Sequence, residues 1–190
     1  MRLREQKWVC FVTLIILITL GQHHDLRVGE WKVSEKGTVS VKLSPQEILT
    51  LLPQQEPFRF VDEIIEVDED HILAHYRFRT EADFYRGHFP GNPVTPGVIL
   101  LESLAQVGVV ALGIYLFALE EGLEGVKDKT ALFVDADVDF SGMVLPGEKV
   151  IISGRKVFFR RNKLRTEAAM KTADGSLVCS GTISGLRVPQ

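Results

Sequence analysis

Cysteine is scarce in this chain: Cys10 and Cys179 are the only two, far apart in 190 residues. That speaks against a disulfide framework and against a cysteine metal cluster, and it fits a reducing compartment. No excess of positive charge exists either. The formal net charge is −3 at pH 7, which gives no global reason to expect nucleic acid as a partner. Internal repeats and low-complexity stretches are also missing. What is present, 45% hydrophobic and 25% charged residues, is the composition of a soluble globular protein, and the length suits one domain with a sizeable core.

The first forty residues stand apart. Arg2, Arg4 and Lys7 precede an apolar run from Trp8 to Leu20, the pattern of a secretory signal. The run is short for a membrane span, which needs about 20 residues. Thr19 and Gly21 offer only a weak cleavage site, with nothing like Ala-x-Ala. A signal peptide, an amphiphilic anchor and a leader from a start codon placed too far upstream are the competing readings. Gln22 to Ser40 reads as a polar linker without a sustained period. His23 and His24 are adjacent, so they do not share a helix face, and a surface pair is expected rather than a metal site. The expected organisation is a leader plus linker over 1–40 and one domain over 41–190.

Ser44-Pro45-Gln46-Glu47 has the form of a capping box with proline at the first helical position, so a short amphipathic helix is expected up to Pro53. Phe58 to Val67 and Ile72 to Phe78 read as strands joined by the turn Asp68-Glu69-Asp70. Val98 to Phe117 is apolar enough to span a membrane. Its polar residues Glu102, Ser103 and Gln106, with Glu102 and Gln106 four apart on one face, predict instead a helix buried within the domain. Gly108 and Gly113 would let it pack closely. Glu120 to Lys129 reads as a charged connection. Thr130 to Phe140, Lys149 to Phe159, Leu164 to Thr172 and Leu177 to Leu186 then read as antiparallel meander strands. The expected class is α+β: one buried helix with an antiparallel sheet of about five to seven strands.

Chemistry concentrates between Gly87 and Glu102. His88 lies in a turn bracketed by Gly87 and Gly91 and stiffened by Pro90, Pro93 and Pro96. The turn runs into a helix N-terminus, whose free N–H groups and positive dipole end suit a carbonyl oxygen that gains charge in a transition state. Glu102 is a lone carboxylate among Val98, Ile99, Leu100, Leu101 and Leu104. Burial there favours the protonated form, which a general acid needs. A neutral imidazole would take a proton beside an activated carbonyl, the carboxyl would protonate a departing hydroxyl, and the Gly97 and Val98 amides would hold the carbonyl oxygen. That chemistry dehydrates a 3-hydroxyacyl compound, with the apolar helix lining a slot for an alkyl chain.

The run Gly87-His88-Phe89-Pro90-Gly91-x-Pro93-x-x-Pro96-Gly97-Val98, followed by Glu102 and Ala105-Gln106, resembles the FabZ-type 3-hydroxyacyl-[acyl-carrier-protein] dehydratases. Leu51-Leu52-Pro53-x-x-x-Pro57-Phe58-x-x-Val61-Asp62 upstream and Val144-Leu145-Pro146-Gly147-Glu148 downstream are similar to two further signatures of that family, so the resemblance covers roughly Val41 to Gly185. It implies a hot-dog fold, an antiparallel sheet wrapped around one long helix. It implies a homodimer, in some members a trimer of dimers, with His88 as base from one subunit and Glu102 as acid from the other. Gly97, Val98, Phe89 and Gln106 are the substrate-binding candidates. Glu rather than Asp at position 102 favours simple dehydration without double-bond migration. No metal or redox cofactor is implied.

Two departures from the family pattern stand out. Asp135-Ala136-Asp137-Val138-Asp139-Phe140 replaces the usual basic, Phe-containing run, which puts the usual carrier docking in doubt. Its three aspartates share one strand face. A calcium loop does not fit, because Phe140 holds the glycine position and Pro146 the final glutamate position. Thr95 lies where many members have Met, next to the expected substrate slot. Acyl carrier protein, the implied partner, is acidic, so Arg86, Arg160, Arg161 and Lys163 are the docking candidates. A hot-dog thioesterase and a non-catalytic acyl-binding protein are the competing functions. A carrier-dependent enzyme is expected in the cytoplasm.

Overall fold

The computed structural model describes residues 31–33 and 39–189; Cys10, His23, His24 and the signal-like run lie outside them. Within the segment expected to be a linker, β1 (Trp31–Val33) pairs antiparallel with β2 (Val39–Val41). Helix α1 (Pro45–Leu51) begins as its sequence predicts. The Ser44 hydroxyl oxygen accepts from the Glu47 amide, and the Glu47 carboxylate accepts from the Ser44 amide at 2.7 Å, so two amides that the helix leaves open are satisfied.

β3 (Glu63–Val67) and β4 (His71–Arg77) form the expected hairpin. β3 starts later than the strand read from Phe58, because the backbone at Phe58 and Phe60 bonds to the Gln106 side chain instead of a neighbouring strand. The core helix is continuous but not uniform. α2 (Gly97–Ala105) passes through a π turn (Gln106–Ala111) into α3 (Leu112–Glu121). It outruns the expected end at Phe117 by one turn and stops at Gly122, whose φ of 67° suits glycine. Four long strands follow: β5 (Lys129–Phe140), β6 (Lys149–Arg160), β7 (Lys163–Thr172) and β8 (Leu177–Pro189).

β3 to β8 make one six-stranded antiparallel sheet in the order β3-β4-β6-β7-β8-β5. Its inner face wraps the helix, the hot-dog arrangement. Val150 and Ile152 of β6, Leu164, Ala168 and Met170 of β7 and Ile183 of β8 are buried against Leu104, Val107, Ala111 and Leu112. Helix and sheet meet backbone to backbone at one crossing: a Cβ on Gly154 would come within 2.9 Å of the Gly108 Cα. Gly113 has more room, its nearest neighbour being Leu164 at 3.8 Å. The helix is long and apolar enough to cross a membrane by length and composition, yet 72% of its most apolar stretch is buried inside this fold.

The sheet is asymmetric at its edges. β5 pairs only with β8, leaving a twelve-residue strand with one free edge among the described strands. Leu132, Phe133, Val134 and Phe140 on it are all about half exposed. At the β6–β7 hairpin, Arg161 and Asn162 both have positive φ, as a two-residue hairpin turn of the favoured twist requires.

Candidate active site

The His88 loop is built by short-range backbone bonds. The His88 amide donates to Phe84 O (3.0 Å), Val94 N to His88 O (3.2 Å), and Asn92 N to Phe89 O (3.0 Å). Gly91 supplies the positive φ of 82° that closes the turn, and the His88–Phe89 peptide is cis. The loop's end is anchored to the Pro-Gly-acid turn, where Thr95 N donates to Val144 O at 2.8 Å. That turn is itself held by the Glu148 carboxylate, which accepts from Leu145 N at 2.7 Å.

His88 Nδ1 lies 2.9 Å from the Val94 carbonyl oxygen. A carbonyl can only accept, so Nδ1 carries the hydrogen, and in the neutral ring Nε2 keeps its lone pair for a proton from elsewhere. The Phe89 ring lies against the imidazole, with centroids 4.2 Å apart, and is itself exposed. Just downstream, Ile99 N and Leu100 N donate to Pro96 O. The Gly97 and Val98 amides precede these first helical bonds and make no hydrogen bond among the described residues. They are free donors at the positive end of a long helix. The Phe140 ring covers Gly97, 3.5 Å from where a Cβ would stand.

Glu102 sits on the next turn, half-buried, and its Oε1 accepts from Gln106 Nε2 at 2.9 Å. Gln106 has no exposed surface. Its amide nitrogen also donates to Phe58 O (2.8 Å), and its Oε1 accepts from Phe60 N (2.7 Å). Its donors and its acceptor are all engaged within the chain, and they tie the helix that carries Glu102 to the segment before β3. Thr95 is not in a slot. It is 3% exposed and its hydroxyl meets the Tyr85 hydroxyl at 2.6 Å. Tyr85, whose place beneath the loop the sequence does not announce, is held above its ordinary pKa by burial, with the Thr95 bond opposing.

The remaining candidates are scattered. Arg86 is exposed, 3.5 Å from Asp83 and two residues from His88. Arg160, Arg161 and Lys163 lie at the opposite end of the core helix. There Asn162 between them is held by Arg187, which also grips Glu121 on the helix's last turn. Gly97 to Glu121 corresponds to about 37 Å of helix at the usual rise. Lys163 also pairs with Asp135 at 3.2 Å. Asp135 bonds to Arg165 as well, and these cations hold its carboxyl below the ordinary range. No group of three or more metal-ligating side chains stands together among the described residues. Cys179 is buried and its thiol is pushed up to about 11 by burial, so it offers no thiolate for catalysis at neutral pH.

Comparisons with known proteins show the family. The model of the FabA-like domain family matches residues 52–183, from the end of α1 to the middle of β8. The chain belongs to this family. Its relatives include two proteins named 3-hydroxyacyl-[acyl-carrier-protein] dehydratase FabZ. The one from Clostridium perfringens is 36% identical over 72% of this chain and 93% of its own length. The one from Lactococcus lactis is 34% identical over 76% and 94%. Among solved structures, the dehydratase heterocomplex ApeI:P of Xenorhabdus doucetiae superposes with a TM-score of 0.61 at 14% identity, covering 78% of this chain and 93% of that one. A thioesterase of Haemophilus influenzae gives 0.55 at 18%, covering 77% and 92%. At such identities these two superpositions establish the shared hot-dog fold alone. The FabZ-type relatives add that the loop, the helix N-terminus and Glu102 lie inside the matched region.

Proposed function

We propose that the chain dehydrates 3-hydroxyacyl thioesters of acyl carrier protein to trans-2-enoyl thioesters, in fatty-acid or related polyketide-like synthesis. The observation that carries this reading is the Nδ1 bond to Val94, which leaves Nε2 of His88 as a base on the loop that leads into two free helix amides. Nε2 takes the proton from the carbon next to the thioester carbonyl. The Gly97 and Val98 amides hold the carbonyl oxygen as it gains charge. The Glu102 carboxyl gives its proton to the 3-hydroxyl, the C–O bond breaks, and water leaves as the double bond forms. The apolar cavity of about 70 Å³ beside the second half of the core helix receives the acyl chain, and Arg86 offers a cation for an acidic carrier at the loop. The enzyme would work in the cytoplasm, where its carrier-bound substrates are made.

A second copy completes the site. The free edge of β5 carries half-exposed Leu132, Phe133 and Val134, and nearby Val98 and Met143 are about 70% exposed. A long unpaired edge with such apolar residues on it invites pairing with another strand, and a two-fold dimer satisfies it with a copy of itself.

The test is to incubate the purified protein with a 3-hydroxyacyl-carrier thioester and follow enoyl product and free thiol together. Enoyl formation without thiol release is expected. Thiol without enoyl would make the chain a thioesterase. Ligand binding with neither product would make it an acyl-binding module.

A further inference from the structure

The cavity beside the core helix has a definite far end. On the helix it is lined by Val109, Val110, Gly113, Ile114 and Phe117, a stripe at three- and four-residue spacing. Glu102 lies on the α-helical turns before the π turn, so the cavity runs from the middle of the helix away from the general acid toward the helix C-terminus. There Arg187 of β8 is among the residues that line it.

Arg187 is held unusually firmly. Its Nη1 donates to Glu121 Oε2 (2.8 Å) and Gly125 O (2.7 Å), and its Nη2 to Glu121 Oε1 (2.8 Å) and Asn162 Oδ1 (2.6 Å). The guanidinium also lies over the Phe117 ring, 3.7 Å from its centroid, and the side chain is only 11% exposed. The four terminal N–H positions are thus committed, and the Glu121 pair is a bidentate fork. An alkyl tail reaching this point would have to pull a guanidinium that is only 11% exposed away from its charge-assisted bonds, which is unfavourable even though Glu121 itself is 43% exposed. An apolar side chain there could yield by changing rotamer; this cluster cannot.

Building on the dehydratase reading, we infer that Arg187 is the stop that sets the longest acyl chain the enzyme accepts. It touches the tail rather than the reacting atoms, so it governs selectivity and not the chemistry.

The experiment measures kcat/KM for enoyl formation across a series of 3-hydroxyacyl-carrier thioesters of increasing length, using the full chain and three variants. Arg187→Ala opens the end. Arg187→Gln keeps the stem over Phe117 should the alanine variant fold poorly. Gly113→Leu fills the cavity from the helix side, where space exists. The long-to-short ratio of kcat/KM should rise about tenfold or more in Arg187→Ala, rise less in Arg187→Gln, and fall by a similar factor in Gly113→Leu, the scale on which a pocket discriminates single methylenes. If the Arg187 variants change every length by one common factor, or leave the profile unmoved, Arg187 is not the stop. Turnover of short substrates by the wild type upholds the dehydratase reading whatever the length profile shows. A wild type inert at every length overturns both.

Discussion

Gln106 commits both amide hydrogens and its carbonyl oxygen to Glu102, Phe58 and Phe60, so it joins the general acid to a segment forty-six positions away. Its four-residue spacing from Glu102 is legible in the sequence, while the substrate-binding role expected for it comes with the family resemblance. The partners at Phe58 and Phe60 are not legible, because no local pattern announces that a distant side chain will satisfy a backbone. The same hidden contact is why the strand that the sequence suggests from Phe58 starts only at Glu63. Gln106→Leu keeps the volume and removes these bonds, leaving a buried N–H and C=O unsatisfied at about 1–3 kcal/mol each. We expect a clear fall in thermal unfolding temperature. Activity should drop mainly through kcat rather than KM, since the residue orients the acid without touching substrate. An unchanged kcat in a folded Gln106→Leu protein would remove its positioning role.

Among the elements, the core helix was the easiest to anticipate: an apolar run of that length with one charge has few alternatives, and its glutamate and glutamine placed it inside a soluble fold. Its last turn was missed because Leu119-Glu120-Glu121 looks like connection, and only the positive φ of Gly122 marks the true end. The strands were legible from alternation, with ends misplaced by a residue or more. The Gly108–Gly154 crossing was half visible, since the sequence showed the helix glycine but not its partner on β6. At that crossing the nearest atom to a new methyl is backbone, which cannot swing aside. Gly154→Ala should therefore destabilise the fold by about 1–3 kcal/mol, while Gly113→Ala, facing only the end of the Leu164 side chain, should cost far less. Equilibrium denaturation of the two variants side by side tests this, and equal costs would contradict the packing described.

For the molecule as a whole, the decisive question is whether one chain or two make a site. The motifs identified the family, and the family resemblance supplied the expectation of shared sites; composition and periodicity could not have done so. His88→Ala and Glu102→Gln should each be inactive alone. If the sites are shared, unfolding and refolding an equal mixture should restore about a quarter of wild-type activity: half of the dimers pair unlike chains, and each of those regains one of two sites. No recovery, with mixed dimers shown to form, would place both residues in one subunit's site. Geometry within the chain has a further consequence, set by the π turn at Gln106–Ala111. A π turn closes its hydrogen bond over one residue more than an α turn, as Leu112 N does in reaching Val107 O. Each residue of an α-helix advances the chain by about 100° around its axis. The extra residue is thus taken up inside the turn, and removing one residue there would close it as ordinary helix with Glu102 and Phe117 in nearly the phase they now hold. The α-helical turns on either side have no such slack, and a deletion in them would turn everything beyond it by about that angle. The middle of the rod therefore tolerates a change of length that its ends do not, and a one-residue deletion at Gln106–Ala111 should cost less activity than one in the helical turns that follow.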